Sequence, residues 1–293
     1  MERIEILKTY KIYIGGQFPR TESGRYYAPV DKKGQPLANM CLSSRKDLRN
    51  AVVAARKAFG GWSERSAFNR SQVCYRIAEM LEGRRDQFIG ELVRQGSTQA
   101  KAAQEVDLAV DRIVYYAGWC DKFTQVFSAV NPVASSHFNF STYEPTGVVG
   151  IVAPQDSSLI GLVSVIMPVI AGGNSCVVLA SEQLPLCAVT FAEVLNSSDL
   201  PGGVVNILTG KETELIDQFG SHMDINAVVY AGGNKAHATA LEAGAVVNVK
   251  RVVAYTHDFA NATLENPYFI TDVQELKTTW HPIEHVGGAT SSY

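Results

Sequence analysis

Two acidic residues each follow an apolar segment of strand length, at positions where they could take part in chemistry. Asp156 comes shortly after Val148 to Ala153, and Glu182 follows Ser175 to Leu179. In parallel α/β sheets, ligands bind outside the carboxyl ends of the strands. Asp156 could therefore act as a general base, but capping of the helix that follows is the favoured interpretation. For Glu182, a ligand-hydroxyl acceptor and a solvated turn carboxylate are equally favoured.

A pair of glycines marks a third position of this kind. The sequence Ala231-Gly232-Gly233-Asn234 follows the apolar segment Ile225 to Tyr230 and precedes a segment with a helical pattern. Backbone N–H groups at the start of a helix can hold a phosphate. Two glycines are a weak signal, because turns between strands and helices favour glycine in any case. An unoccupied tight turn is the favoured interpretation, and a phosphate site is the alternative.

The histidines and cysteines of the sequence give little support for a metal site or for a catalytic thiol. His281 and His285 stand four residues apart, a spacing that could bind zinc on a helix, but Pro282 argues against a helix and no third ligand is near. No metal site is predicted. The five cysteines are far apart and form no CxxC pair, which favours reduced thiols in a cytoplasmic protein. The cysteines within predicted helices and strands are interpreted as small core residues, not as nucleophiles.

The composition is typical of a globular chain with a substantial core. Of 293 residues, 46% are apolar and 19% are charged, which argues against disorder and against a coiled coil. The net charge is −3 and no basic block occurs, so binding to nucleic acid or to an anionic membrane is not predicted. The longest apolar segment, Leu159 to Ala171, is too short to span a bilayer.

The order of the predicted elements indicates an α/β fold. Residues 148–179 read as a strand, an apolar helix and a second strand, and three further helix–strand alternations lead to Ala254. Parallel strands in this rhythm predict a doubly wound sheet, which the helices at 45–123 would flank. The first of those helices is predicted to begin at a Ser44 cap and to end at Gly60-Gly61.

Three segments are predicted to lie outside this sheet. Tyr10 to Gly16 reads as a strand of a separate hairpin, and His137 to Tyr143 reads as a strand with one exposed face. Pro267 to Thr279 reads as one extended strand. An isolated strand needs a partner for its backbone groups, so we expect this strand to pair with another.

Several of these segments resemble motifs of the aldehyde dehydrogenase superfamily. The resemblance runs through YIGGQF, SRKDLRNAVVAARKAFGGW, EPTGVVGIVAP, AGGNSCVVLASEQLP and LPGGVVNILTG, and QELKTTWHP resembles the family's C-terminal oligomerisation strand. It implies a Rossmann-like NAD-binding domain over residues 1–255, including an oligomerisation strand at 137–144, and an oligomerisation arm and tail over 256–293. NAD is therefore a possible cofactor. The resemblance places four residues of the matching motifs near this cofactor: Ser181, Glu182, Gly232 and Gly233.

Other positions depart from the family pattern. Asp156 stands where the family has an asparagine that donates to the oxyanion, and a carboxylate there would repel the developing charge. Leu179 replaces the lysine that holds the cofactor ribose, and the FTGS turn of the family has become Tyr230-Ala231-Gly232-Gly233. Tyr255 stands near the position of the glutamate general base. The resemblance therefore supplies no catalytic residue.

The nucleophilic cysteine of the family has no counterpart after Cys187, so the catalytic domain is predicted to be absent. Hydride transfer from a thiohemiacetal needs a thiolate. The resemblance therefore predicts a non-catalytic homologue that acts as a structural or regulatory subunit, assembling with itself or with a full-length aldehyde dehydrogenase. The alternative is an NAD(H)-binding subunit of an active dehydrogenase complex.

Overall fold

The computed structural model describes residues 6–283, over which helices and strands alternate for most of the length. The helices are α1 Arg45–Ser63, α2 Ala67–Glu82, α3 Arg85–Arg94, α4 Gln99–Trp119, α5 Phe123–Phe127, α6 Ile160–Ala171, α7 Leu186–Asn196, α8 Glu212–Ser221, α9 Lys235–Ala245 and α10 Tyr268–Thr271. The strands are β1 Thr9–Tyr10, β2 Tyr26–Tyr27, β3 Asn39–Cys41, β4 Ala129–Asn131, β5 His137–Pro145, β6 Val148–Val152, β7 Ser175–Leu179, β8 Val205–Leu208, β9 Ala227–Tyr230, β10 Arg251–Ala254 and β11 Gln274–Pro282.

Five parallel strands form the central sheet, in the order β10-β9-β6-β7-β8. The chain enters the sheet at β6, winds outward through β7 to β8, and then returns to β9 on the other side of β6. This is the doubly wound, Rossmann-like order, and its switch point lies between β6 and β9. The fold class predicted from the sequence is confirmed.

Helices cover both faces of this sheet. Val149 and Ile151 of β6 belong to the core that includes α6, whereas Val148 and Val152 belong to the opposite core with α1, α8 and α9. All twelve residues of α6 are buried, because α6 contacts the sheet on one side and α4 on the other. Strands that are covered on both faces have no face in contact with water, which explains their continuous apolar sequences.

Helix α1 begins at the predicted Ser44 cap. The structure shows a full capping box there, in which the Ser44 side chain accepts from the Asp47 N–H and the Asp47 side chain accepts from the Ser44 N–H. Its predicted end at Gly60-Gly61 is wrong, since the helix continues to Ser63. A glycine costs a helix only about 1 kcal/mol relative to alanine. The indole of Trp62 is fully buried and donates to the Ile170 carbonyl at 3.0 Å, which offsets that cost.

The turn predicted at Gly15-Gly16 forms a tight hairpin, in which Ile14 and Gln17 exchange backbone hydrogen bonds of 3.0 Å, but this hairpin is not separate from the central sheet as the sequence predicted. Only Thr9–Tyr10 of this region is a strand, and it pairs in parallel with β3, which pairs antiparallel with β2. Tyr13 instead forms an antiparallel bridge with Ile207 of β8, with N–H to carbonyl distances of 2.8 Å in both directions. The segment therefore touches the edge of the central sheet.

A third sheet, in the order β11-β5-β4, brings the last described strand back onto the body of the chain. β11 pairs antiparallel with β5 from Gln274 opposite Pro145 to Pro282 opposite His137. The prediction of one strand over 267–279 is therefore partly wrong. Phe269 and Ile270 are consecutive and both buried, an arrangement that the short helix α10 allows and that a strand with one solvent face does not.

Within residues 6–283, no helix combines the length and the apolar character that crossing a membrane requires.

Candidate functional site

The carboxyl ends of β6 and β9 lie side by side at the switch point of the central sheet, and two neighbouring cavities open there. The first cavity measures about 390 Å³, and its wall includes Pro154, Gln155, Asp156, Gly232, Gly233 and Tyr255. The second measures about 490 Å³, and its wall includes Gln155, Glu182, Glu212, Gly232, Gly233 and His237. Most residues that the sequence singled out therefore meet at one edge of the sheet.

Gln155 joins the loops that follow β6 and β7. Its side-chain oxygen accepts from the Glu182 N–H at 2.8 Å, and its amide nitrogen donates to the Ala153 carbonyl at 3.0 Å. Ser181 is buried beneath this contact, where its hydroxyl donates to the Gln155 carbonyl at 3.0 Å and accepts from the Leu184 N–H at 2.9 Å. The Ser181 hydroxyl therefore shapes the loop, while Glu182 faces the cavity.

Asp156 does not cap α6, so the favoured sequence interpretation of this residue is wrong. The carboxylate of Glu105 on α4 accepts from the N–H groups of Leu159 and Ile160 at 3.1 Å each, and Ser157 Oγ accepts from Gly161 at 2.8 Å. Asp156 is exposed and lies on the cavity wall. Glu105 precedes its partners by more than fifty residues, and no local signal in the sequence identifies it.

A buried carboxylate and an imidazole pair in the second cavity. His237 Nδ1 lies 2.6 Å from Glu212 Oε2, and the same oxygen accepts from the Tyr230 hydroxyl at 3.3 Å. The Glu212 side chain is only 8% exposed, and burial raises the pKa of this carboxyl group, although the contact with His237 opposes that rise. Sequence reasoning missed both residues, which lie at the starts of two different helices.

Gly232 allows this pair to approach the backbone. A Cβ at position 232 would collide with Glu212 Oε1 and with the Tyr230 hydroxyl, so any larger residue there would displace these groups. The following helix, α9, is capped from within the chain, because the Asn234 side chain accepts from the N–H groups of the first turn. Over the described part of the chain, neither lysine nor arginine lines either cavity.

Tyr255, near the position of the family's general base, has a structural contact instead. Its hydroxyl donates to Asp272 Oδ2 at 2.7 Å, and the ring is 8% exposed. Burial and the adjacent Asp272 carboxylate raise the pKa of Tyr255 far above its ordinary value. The phenol therefore stays protonated and ties the end of β10 to the loop before β11.

All five cysteines lie within the described residues, and all are buried. Burial raises the pKa of both Cys176 and Cys187, so these thiols stay protonated. None of the five lines either cavity at the switch point. Buried, protonated thiols are poor nucleophiles.

The structure also bears on the possible zinc site. Within residues 6–283, no group of three or more metal-ligating side chains is placed to hold a metal ion. His281 lies exposed on β11, and His285 lies outside the described residues.

Comparison with known proteins identifies the family to which the chain belongs. The sequence profile described as the aldehyde dehydrogenase family matches residues 19–256. This chain belongs to the aldehyde dehydrogenase family. The resemblance drawn from the sequence motifs is confirmed, and so is the Rossmann-like fold that it implied.

Relatives within the aldehyde dehydrogenase family are moderately similar and much longer. The mitochondrial benzaldehyde dehydrogenase of Antirrhinum majus is 31% identical over 247 residues, which cover 83% of this chain and 46% of that protein. The putative aldehyde dehydrogenase DhaS of Bacillus subtilis (strain 168) is 30% identical over 253 residues, covering 83% and 50%. The chain thus spans about half the length of these two relatives.

A solved structure agrees with the same assignment. The NAD+ complex of an aldehyde dehydrogenase from Bacillus cereus superposes with a TM-score of 0.80 at 26% identity, covering 84% of this chain and 50% of that one.

Proposed function

We propose that this chain is a non-catalytic member of the aldehyde dehydrogenase family that acts by assembling with a second copy of itself. The exposed strand β11 carries the proposal, because no strand within residues 6–283 pairs with its outer edge. The absence of catalysis is supported by the thiols, since all five are buried away from the switch-point cavities. Asp156 adds a negative charge where the family places an oxyanion donor.

The residues at the carboxyl edge do not fit a dinucleotide. A pyrophosphate needs positive charge or free backbone N–H groups. Position 179 carries a buried leucine instead of the family lysine, and the side chain of Asn234 occupies N–H groups at the start of α9. The buried carboxylate of Glu212 would repel a phosphate at Gly232. We therefore assign no step to NAD.

The sheet that contains β11 exposes apolar side chains. Leu276 and Trp280 are each 56% exposed and, four residues apart on a strand, lie on the same face. Phe138 of β5 and Val130 of β4 are 45% and 66% exposed on the other face. A three-stranded sheet with apolar residues in water on both faces gains stability when a partner covers it.

The outer edge of β11 is self-complementary. Within residues 6–283, no strand pairs with the side of β11 that faces away from β5. Antiparallel pairing of two copies about Thr278 would set Leu276 opposite Trp280 and Glu275 opposite His281. Apolar pairs of this kind contribute roughly 0.2–1 kcal/mol each, and no like charges would face one another. Such a contact is two-fold symmetric, as most dimer interfaces are.

The native mass of the purified chain, measured by light scattering after gel filtration, tests the proposal. We expect a species of twice the 31.8 kDa chain mass. Trp280→Glu places two acidic groups in the proposed contact and should give the monomer. Val53→Glu is the matched control, since Val53 is 58% exposed on α1, and it should leave the mass unchanged.

Three results would contradict self-assembly. These are a wild-type monomer at micromolar concentration, a dimer that survives Trp280→Glu, and a complex that forms only with a longer family member added to the mixture. The last result would instead assign the β11 edge to a heteromeric partner.

A further inference from the structure

The second switch-point cavity has a charge opposite to that of a phosphate site. Its charged or titratable wall residues are Glu182, Glu212 and His237, and over the described part of the chain neither lysine nor arginine lines it. Glu182 is near enough to Glu212 to raise the pKa of the Glu212 carboxyl group, so both carboxylates contribute negative charge to the same cavity. A cavity lined by acidic side chains attracts cations and repels anions.

Acidic side chains near one another do not by themselves make a site, but Glu212 adds an independent observation. Its side chain is more than nine-tenths buried, and only Oε2 is used by His237 and the Tyr230 hydroxyl. Oε1 is buried, has no hydrogen-bond partner among the described residues, and faces Gly232 on the cavity wall. A buried carboxylate oxygen without a donor is costly, so a donor from a ligand would be favourable.

His237 holds the Glu212 carboxylate in place, since its Nδ1 lies 2.6 Å from Oε2 and its ring lines the same cavity. The cavity therefore offers the carboxylate acceptors of Glu182 and Glu212 to a ligand that carries donors.

We propose that this cavity binds a small organic cation with primary ammonium groups, of the diamine or polyamine class, between Glu182 and the Glu212–His237 pair. An ammonium group supplies three N–H donors and a positive charge, and the carboxylates of the cavity can accept the donors and balance the charge. The volume of about 490 Å³ is sufficient for a ligand of this size. This inference is independent of assembly through β11, and each can fail without the other.

Isothermal titration calorimetry of the full chain with spermidine tests the inference, with NAD as the anionic counter-probe. We expect saturable heat with spermidine and none with NAD. Glu212→Gln, which keeps an acceptor for His237 and removes the charge, should weaken spermidine binding by about tenfold or more. Glu182→Gln should weaken it as well and does not disturb a buried group. Circular dichroism of each variant verifies that it is folded.

Glu214→Gln is the matched control. Glu214 lies on the same helix, two residues away, and its carboxylate pairs with Arg25 at 2.7 Å outside the cavity. The same change of charge there should leave spermidine binding unaltered. The inference is overturned if spermidine gives no saturable heat, if Glu212→Gln and Glu214→Gln weaken binding equally, or if NAD binds the wild-type chain.

Discussion

Replacing Arg112 with methionine is expected to loosen the segment that joins β10 to β11. Arg112 lies on α4, is 1% exposed, and donates to Ser164 Oγ at 2.7 Å. It also donates to the carbonyl groups of Phe259 and Asn261, at 2.8 and 2.9 Å. Both carbonyls belong to the segment between the two strands, so one guanidinium fastens that segment to the body.

The size of the effect follows from these three bonds. A hydrogen bond from a charged donor contributes roughly 1.5–3 kcal/mol, and removal of the donor leaves two carbonyl groups without it. Methionine fills part of the same space and relieves the cost of burying the charge, which reduces the loss. We therefore expect the free energy of unfolding to fall by about 3 kcal/mol, a large share of the 5–15 kcal/mol typical of a domain.

Urea unfolding followed by circular dichroism measures the loss, and hydrogen exchange locates it. Amides in 255–273 should exchange faster in Arg112→Met than in the wild type. Arg85→Met is the control, because Arg85 pairs with Asp107 at 2.7 Å on the surface and should cost at most about 1 kcal/mol. Equal losses of stability in the two variants, or unchanged exchange in 255–273, would show that Arg112 does not fasten this segment.

Three further predictions concern single positions. Tyr255→Phe removes a 2.7 Å hydrogen bond to the loop before β11 and should lower the free energy of unfolding, measured by urea denaturation, by about 1–2 kcal/mol. An unchanged urea midpoint would show that the hydroxyl group is dispensable. Gly232→Ala should lower the free energy of unfolding by about 1–3 kcal/mol, because its Cβ collides with a buried carboxylate. Gly61→Ala should raise it by roughly 0.5–1 kcal/mol, because position 61 lies in α1 and a Cβ there meets no neighbouring atom. Effects of equal sign would contradict the geometry. Burial lowers the pKa of Lys250 from 10.5 to about 8, so between these values the folded state binds fewer protons than the unfolded chain and the residue's contribution to stability rises with pH. Urea melts across that pH window should give a less positive slope of stability for Lys250→Met than for the wild type, and equal slopes would refute the assignment.

The central sheet was predictable because strands buried on both faces leave a clear signal. Val148 to Ala153 and Ser175 to Leu179 are continuous apolar segments, and the observed strands match them within one residue. The helix that continues through Gly60-Gly61 was not predictable from local signals. The burial of Trp62 against α6 decides where that helix ends, and this contact depends on residues more than a hundred positions away.

The polar contacts of the site were not predictable for the same reason. Glu105 caps a helix that begins 55 residues later, and Glu212 meets His237 across 25 residues of chain. Neither pair has a spacing that places both side chains on one helix or strand. The topology of the sheet brings them together. The sequence could place Glu182 and Gly232 near the carboxyl edge, but the partners of these residues needed the structure.

Aldehyde-dependent formation of NADH by the purified chain tests the central claim most directly. With benzaldehyde or acetaldehyde and excess NAD, we predict no absorbance change above the enzyme-free blank, since every thiol is buried and the cavities carry acidic groups. Steady turnover near the roughly 1–1000 s⁻¹ typical of enzymes, abolished by alkylation of cysteine, would contradict the account.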